Sequence, residues 1–438
     1  LSAATNTAIN SLIGKGWQVV INGVITVPNV LSLAPAAAYS LRSFDSAADP
    51  DVVKVRRSSD SATSDFKASE VSDGTLTTWV NTEYQTVVNG EFTTDSGWTK
   101  GAGWSIANGK ATSDGTQTST SYLYQLASMG ASQSQRVTLV VSGYVAGTVK
   151  VRLGDSAPAS SVTPALSSNG TYVFTLPSHS ANAAYLYIQA SSDFQGSLES
   201  ISVVQLTSDG HVTTWYDQGG TNHAAQATAS SQPKIVDGGV LVTEGGLAAL
   251  DFDGTAYYLD TPQNNPFSFT GPVSVSCAYY KDATAYKPYE TLLSAGTTGN
   301  GASTGARSLG LGFGNSVGVS PKPAYTTDHW GPDGVQSTTT VSTNQRAIVT
   351  YNLSNFSTHR TAGNSEIRAN GSALSVSAYN TDNPTSLNSN PMRIGVFDPI
   401  LNASFFSGTI QEIVVFNTNQ AIQSSGIEKN INDTYTIY

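Results

Sequence analysis

The stretch that decides the fold is SDGHVTTWYDQGGTNHAAQATASSQ, Ser208–Gln232. Within it, Val212–Tyr216 alternates between two faces, which is the period-of-two pattern of a half-buried strand, and the DQGG sequence that follows ends the strand. Its opening, Ser208–Asp217, is nearly repeated far upstream as SDGTLTTWVN, Ser72–Asn81. The residues between the two copies have a different character. We therefore predict one sandwich domain that is interrupted by a second domain.

The composition limits the classes of protein to which the chain can belong. Its 438 residues are enough for two or three domains, charged residues are 12% of the total, and the net charge is −10. An acidic chain without Lys/Arg runs predicts no nucleic-acid partner, and the lack of an apolar run of about 18 residues predicts no membrane insertion. Cys277 is the single cysteine, so no disulfide can form within the chain. The first residues, Leu1–Asn10, show neither the basic region nor the apolar core of a secretion signal.

The chain divides by pattern into an arm, a split domain and an insertion. Residues 1–35 are predicted to be an N-terminal arm for docking or oligomer contact, with a helix over Thr5–Ile13 and a hairpin over Gln18–Val27 that turns at an Asn-Gly pair. Residues 36–82 and 207–438 are predicted to be the two parts of the outer sandwich. Residues 83–206 carry short alternating runs between Gly, Pro, Asn and Ser, and they are predicted to be an inserted jelly roll.

Several motifs carry a family resemblance. The motifs AAAYSLRSFD, VVKVRRSSDSATSDF, TTWYDQGG and QPKIVDGG, which begin at residues 36, 52, 213 and 232, resemble the concanavalin-like module of bacteriophage virion proteins. That module is similar to the catalytic domain of fungal alpha-L-arabinofuranosidase B. The insertion opens with VVNGEFTTDSGWTKGAGWSIANGKAT and closes with SLESISVVQL, and both motifs resemble carbohydrate-binding modules of xylanases and related enzymes.

The resemblance implies a fold class and a function. The expected fold is all-β: a concanavalin-like sandwich that carries an inserted jelly-roll domain and an N-terminal arm. The expected function is a bacteriophage virion structural protein, a fibre or capsid-decoration component on the particle surface. Its expected partners are other virion proteins, further copies of itself in a homo-oligomer such as a trimer, and a host-surface glycan. The alternatives are a secreted arabinofuranosidase-like glycoside hydrolase, which would be the enzyme if the chain is one, and a bacterial surface adhesin. We expect no enzymatic activity on balance.

Acidic residues supply the candidates for catalysis. A glycosidase needs two carboxyl groups at a defined separation, and the catalytic candidates are Asp217, Glu244 and Asp251. None lies in a motif that identifies a nucleophile or an acid, and a strand-end aspartate such as Asp217 more often caps a turn. Asp251 and Asp253 share one face of a strand, and two carboxylates placed in this way could bind Ca²⁺. The alternative is that they belong to a simple turn before Gly254. Apart from this possible Ca²⁺, we expect no cofactor. The five histidines show no ligand spacing.

Aromatic residues of the insertion supply the candidates for glycan binding. Aromatic faces stack on sugar rings, and Trp98, Trp104, Tyr122 and Tyr124 are expected near one end of the jelly roll. The alternative is that Trp98 and Trp104 belong to the core of the opening strands.

Overall fold

The structure is a computed structural model. It describes residues 19–21, 24–26, 30–82, 84–127, 134–154, 161–176, 184–205, 208–262, 271–283, 290–295, 309–314, 324–326, 334–339, 341–354, 362–379, 391–397 and 405–438. Two strands, β1 (Val19–Ile21) and β2 (Val24–Thr26), pair as the predicted hairpin of the arm. The predicted helix over Thr5–Ile13 lies outside the described residues. Among the described residues, no helix is long and apolar enough to cross a membrane.

The outer sandwich is built from the residues on either side of the insertion. Twenty strands of the described residues follow one another in a continuous antiparallel path. Its strands, with the short β21–β22 pair, are β3 (Ala37–Ser40), β4 (Asp51–Arg57), β5 (Thr63–Lys67), β17 (Gly210–Trp215), β18 (Ala224–Ala225), β19 (Lys234–Asp237), β20 (Val240–Leu241), β21 (Thr243–Glu244), β22 (Leu247–Ala248), β23 (Leu250–Asp253), β24 (Leu259–Asp260), β25 (Val273–Lys281), β26 (Thr291–Ala295), β27 (Leu309–Gly314), β28 (Ala324–Thr326), β29 (Gly334–Ser337), β30 (Gln345–Leu353), β31 (Ser365–Ala369), β32 (Ser372–Ala373), β33 (Val376–Tyr379), β34 (Arg393–Ile394) and β35 (Ser407–Phe416).

Strand β25 shows how the outer sandwich is layered. It pairs with β30 on one side and with β35 on the other, and both faces of it are buried. Cys277 and Tyr279 point into the main core, as the alternation of VSVSCAYY predicts. Ala278 points the other way, into a second core that is closed by the C-terminal helix α3 (Ser424–Tyr435). Ile427 and Ile431 of that helix are fully buried there.

The two similar segments fold differently. SDGHVTTWYD forms strand β17, as predicted, whereas SDGTLTTWVN follows helix α1 (Ala68–Ser72) and forms helix α2 (Thr75–Val80). We expected a strand in both. The helix buries Leu76 and Val80, which are four residues apart and so lie on one helical face. The tertiary packing of that face therefore overrides the local pattern that the two segments share.

The insertion forms a second sandwich, which we call the central sandwich. Its strands are β6 (Tyr84–Gln85), β7 (Thr99–Lys100), β8 (Trp104–Ala107), β9 (Lys110–Asp114), β10 (Ser121–Ala127), β11 (Gln135–Ala146), β12 (Val149–Gly154), β13 (Ser161–Val162), β14 (Gly170–Leu176), β15 (Ala184–Ala190) and β16 (Gln195–Gln205). A five-stranded sheet has the order β13-β12-β15-β10-β7, and a six-stranded sheet contains β14-β11-β16-β9-β8 with β6 beside β16. Side chains from both sheets form one core, which shares no residue with the cores of the outer sandwich.

The predicted fold class is therefore confirmed: the chain is all-β, a β-sandwich into which a second β-sandwich is inserted. Short 3-10 turns occur at Val30–Leu33, Ala229–Ser231 and Ala362–Asn364. A second Asn-Gly hairpin turns at Asn370 and Gly371, between β31 and β32, and both turn residues have positive φ (47° and 80°). The domain boundaries at residues 35, 82 and 206 remain predictions.

Candidate functional site

A group of tyrosines lies on the outward face of the five-stranded sheet of the central sandwich. The register of β10 and β15 places Tyr124 directly opposite Tyr187. Residues that are directly opposite in an antiparallel pair point to the same side of the sheet, as do residues two apart on one strand. The same face therefore carries two further opposed pairs. We call this surface the tyrosine face, and it consists of Tyr122, Tyr124, Leu126, Tyr185, Tyr187 and Gln189.

The inward side chains of the same strands fix this orientation. Leu123, Leu186 and Ile188 are fully buried in the core of the central sandwich. A slip of one residue in either strand would expose these apolar side chains and bury the tyrosines, so the register is strongly specified. The core thus holds the tyrosines on the outer side of the sheet.

The four tyrosine rings contact one another around Tyr187. Its ring centroid lies 5.4 Å from that of Tyr124, 5.7 Å from that of Tyr185 and 5.8 Å from that of Tyr122. Tyr187 is 9% exposed, whereas the three rings around it are half-buried. Burial, reinforced by the neighbouring phenols, raises the pKa of the Tyr187 hydroxyl. The rings therefore form one continuous aromatic surface whose central phenol stays protonated at neutral pH.

Strand β12 adds a polar border to the tyrosine face. Its residues Lys150 and Arg152 stand directly opposite Gln189 and Tyr187, and so they point to the same side. The Arg152 Nε donates a hydrogen bond to the Gln189 Oε1. That bond turns the carbonyl oxygen of the amide toward Arg152, which leaves the Gln189 amide nitrogen on the side away from it.

Such a surface has the chemistry that recognises a sugar. A pyranose or furanose ring presents apolar C–H groups on its faces and hydroxyl groups around its edge. Aromatic rings supply apolar contact, and the phenol, amide and ammonium groups at the border supply directed hydrogen bonds. An apolar surface with a few polar groups at its edge is the usual composition of a ligand-binding site.

Of the four aromatic residues that were predicted to bind glycan, two lie on the surface and two lie in the core. Tyr122 and Tyr124 lie on the tyrosine face, and glycan contact remains a prediction for them. Trp98 and Trp104 are only 8% and 7% exposed and pack in the core of the central sandwich against Phe92 and Phe194. The Trp98 Nε1 donates to the backbone oxygen of Asn89. Their burial agrees with the alternative that they are core residues.

Six residues of the site were missed from the sequence: Leu126, Lys150, Arg152, Tyr185, Tyr187 and Gln189. The run AAYLYIQAS contained a usable signal, since Tyr185 and Tyr187 are two apart, like Tyr122 and Tyr124. Alternation places each pair on one face of its own strand. It does not say that β10 and β15 are neighbours.

Asp217, a catalytic candidate, holds a turn in the outer sandwich. Its carboxylate accepts the backbone N–H groups of Ala38 and Gly219, both at 2.8 Å, and that of Asn222 at 3.1 Å. The side chain is 4% exposed. A carboxylate enclosed by three backbone donors fits the capping alternative and is poorly placed for attack on a substrate.

The other acidic candidates have different surroundings. Glu244 lies 3.8 Å from the Arg346 Nε, and burial raises the pKa of its carboxyl group. Asp251 stands opposite Lys234 and Thr409 on its neighbouring strands. Burial raises the pKa of Asp251 to about 6, although Lys234 opposes the shift.

Asp253 stands two residues beyond Asp251 on β23 and on the same face. Burial opposes ionisation of its carboxyl, but hydrogen bonds from the following turn hold its pKa below the usual value. Its Oδ1 accepts the N–H groups of Thr255, Ala256 and Tyr257 at 2.8–3.0 Å. This is the simple turn that was the alternative to a Ca²⁺ site. Within the described parts of the chain, no three His, Cys, Asp or Glu side chains are grouped to hold a metal ion.

A cavity of about 400 Å³ lies in the outer sandwich between α1, the 41–49 segment and β20–β22. Its described lining includes one carboxylate, Asp49, which accepts the Ser69 N–H at 3.0 Å and the Ser69 hydroxyl at 2.7 Å. Its lining arginine, Arg42, is paired with Glu412. The cavity therefore does not present the two carboxyl groups that glycoside hydrolysis requires.

Comparisons with known proteins gave distant structural likenesses. No family model and no curated protein matches the chain. A GH54 α-L-arabinofuranosidase soaked with a cyclic sulfate inhibitor is 14% identical, covers 69% of this chain and 62% of its own, and has a TM-score of 0.36. A mutant of Trypanosoma rangeli sialidase displaying trans-sialidase activity is 16% identical, covers 51% of this chain and 31% of its own, and has a TM-score of 0.35. A putative carbohydrate-binding protein from Bacteroides ovatus is 14% identical and covers 70% of this chain and 79% of its own, with a TM-score of 0.29.

These findings correct the predicted function. The structures named above are two glycosidases and a putative carbohydrate-binding protein, so the prediction of a bacteriophage virion structural protein is wrong by this comparison. The chain spans about three fifths of the arabinofuranosidase and about a third of the sialidase. The virion location and virion partners depended on the corrected prediction, and the predicted homo-oligomer stays a prediction.

Proposed function

We propose that this protein binds carbohydrate and that the tyrosine face of the central sandwich is the binding surface. The observation that carries the proposal is the contact of four tyrosine rings on one outward side of a sheet. Three of these rings are half-exposed, the neighbouring Leu126 is 61% exposed, and a contiguous apolar patch on a surface supports a binding role. The apolar C–H face of a sugar would cover the rings, and Gln189 and the phenol hydroxyls would bond to its hydroxyl groups.

Binding is tested by titrating the full chain with arabinoxylan, xylan and mixed-linkage β-glucan oligosaccharides in a calorimeter. Tyr124→Ala should weaken binding to the preferred glycan at least about fivefold, since loss of an aromatic contact costs about 1 kcal/mol. Tyr438→Ala is the matched control, because Tyr438 is a half-exposed tyrosine of the outer sandwich. If Tyr124→Ala and Tyr438→Ala bind as the unaltered protein does, the tyrosine face is not the site.

A second candidate function, glycoside hydrolysis, is favoured by one observation in the outer sandwich. Asp251 and Asp253 share a strand face, and their surroundings move their pKa values in opposite directions, to about 6 for Asp251 and below the usual value for Asp253. A protonated acid beside an ionised carboxylate is the pairing that glycosidases use. Asp251 and Asp253 are two positions apart along the strand, so their Cα atoms are about 6.6 Å apart.

Hydrolysis is tested separately from binding by following new reducing ends with the same glycans. If Asp251 is the acid, Asp251→Asn should abolish sugar release and leave binding at the tyrosine face unchanged. Asp45→Asn serves as the control, since Asp45 is an exposed turn residue. The absence of released sugar with the unaltered protein would refute hydrolysis of these glycans and leave the binding proposal intact.

A further inference from the structure

One border of the tyrosine face is cationic. Three cross-strand rows make up the face and its border, and the first contains Lys150, Gln189 and Tyr122. The second row extends from Val162 through Arg152, Tyr187 and Tyr124 to Thr99, and the third contains Gly154, Tyr185 and Leu126. The registers place two cations and no carboxylate in these rows. The Asp193 carboxylate, just beyond the end of β15, accepts the Ser191 hydroxyl at 2.7 Å.

Lys150 differs from other lysines of the central sandwich. Lys100 pairs with Asp95, and Lys110 pairs with Glu199 at 2.7 Å. Lys150 is half-buried and has no ion pair among the described residues of the chain. An ammonium group that is held at the edge of an aromatic surface without a carboxylate partner is positioned to pair with an anion on a ligand.

The charge of the whole chain makes this border distinctive. With a net charge of −10, the protein repels polyanions at long range. A cationic border would therefore have to act locally, through contact with an acidic group that a bound sugar places beside it. Gln189 lies between Lys150 and Tyr122, so one sugar ring that stacks on Tyr122 could bring its acidic substituent to Lys150.

We infer that the glycan bound by the tyrosine face is anionic and that Lys150 pairs with its carboxylate or sulfate group. This inference rests on the proposed function, since it assigns a charge class to the ligand of the same surface. The aromatic rings hold the sugar in either case, and Lys150 determines the preference for an acidic over a neutral form.

The test compares glycans that differ only in charge. Polygalacturonate and its fully methyl-esterified form share a backbone, as do dextran sulfate and dextran. Affinity is measured for each by retardation in native gels that contain the polymer and by calorimetry. We expect the acidic polymer to bind more tightly than the neutral one in at least one of the two pairs. A preference for polygalacturonate would identify a carboxylate as the recognised group, and a preference for dextran sulfate would identify a sulfate.

Variants then assign the preference to its residue. Lys150→Gln should reduce affinity for the acidic polymer about two- to fivefold, as for a partly exposed ion pair, and leave neutral binding unchanged. Added salt should weaken acidic binding in the unaltered protein and not in Lys150→Gln. Lys100→Gln is the matched control, because it removes a lysine of the same sandwich that is already paired.

Each outcome decides the inference. Equal binding of the acidic and neutral members, or a preference that persists in Lys150→Gln, would overturn it while leaving carbohydrate binding in place. If neither member of either pair binds, an anionic ligand is refuted, and the neutral oligosaccharide titrations described above decide separately whether the surface binds carbohydrate at all.

Discussion

Replacing Asp217 with alanine should destabilise the outer sandwich severely. The carboxylate accepts three backbone N–H groups, those of Ala38, Gly219 and Asn222, at 2.8–3.1 Å, and Asp217 is almost fully buried. Each buried donor left without an acceptor costs about 1–3 kcal/mol, and bonds to a charged acceptor are the stronger ones. Three of them give an expected loss of about 3–9 kcal/mol in the free energy of unfolding.

The loss would spread through the first strand of the sandwich. Ala38 belongs to β3, and its neighbour Tyr39 donates its hydroxyl to the backbone oxygen of Asn222. Tyr39 also packs on Trp215, with ring centroids 5.6 Å apart. Asp217 therefore joins β3 to the turn after β17 across 179 residues of sequence.

The assay is urea unfolding followed by tryptophan fluorescence, with the fully buried Trp215 among the reporters. The control is Asp45→Ala, which removes an aspartate that caps an exposed turn by accepting the Ala47 N–H at 2.9 Å. That change should cost less than about 1 kcal/mol. If Asp217→Ala unfolds within about 1 kcal/mol of Asp45→Ala, the structural role is refuted. If Asp217→Asn were stable but lost a measured hydrolase activity, Asp217 would return as a catalytic residue.

Three further changes test other parts of the chain. Arg42→Met should cost about 3–5 kcal/mol in urea unfolding, because it leaves the fully buried Glu412 carboxylate, now 2.8 Å from the Arg42 Nε, without its partner; an unchanged midpoint would contradict this. Asp251→Asn should stabilise the protein by about 1–2 kcal/mol at pH 7.5 and hardly at all at pH 4, because a carboxyl whose folded pKa is raised to about 6 from 3.8 lowers stability as pH rises through that window; equal effects at both pH values would contradict this. Gln189→Ala should weaken glycan binding severalfold and leave the unfolding midpoint unchanged, and a matching loss of stability would mean that the residue is structural.

The layered fold could be predicted from the sequence because alternation and turn residues, the two patterns that indicate it, each lie within a short segment. Alternation identified strands such as β17 and β25, and turn residues separated them. The near-repeat of Ser72–Asn81 was misleading for the same reason. The six residues that it shares with Ser208–Asp217, at its start and centre, cannot distinguish a helix from a strand, and the choice depends on which neighbours bury Leu76 and Val80.

Only part of the candidate site could be predicted from the sequence, for a physical reason. Tyr122 and Tyr124 were selected as aromatic residues on a predicted strand, but their partners Tyr185 and Tyr187 lie about sixty residues later. What joins the two pairs is strand pairing, which is not encoded in either segment alone. Trp98 and Trp104 are buried in the core of the central sandwich, which agrees with the alternative that large apolar side chains of the insertion are used for packing.

The arrangement of acids and aromatics distinguishes binding from catalysis in this chain. Asp217 accepts three backbone N–H groups, and Glu412 is paired with an arginine, so these carboxylates are already committed to the fold. The tyrosine face is different, because its rings contact one another and those of Tyr122, Tyr124 and Tyr185 keep part of their surface exposed. A group whose bonding capacity is used internally contributes to stability, whereas an apolar surface left facing water acquires its stabilisation from a ligand. For the described residues, that distinction supports the proposal that recognition lies on the central sandwich, and it leaves Asp251 as an acid of the outer sandwich whose role a hydrolysis assay can assign.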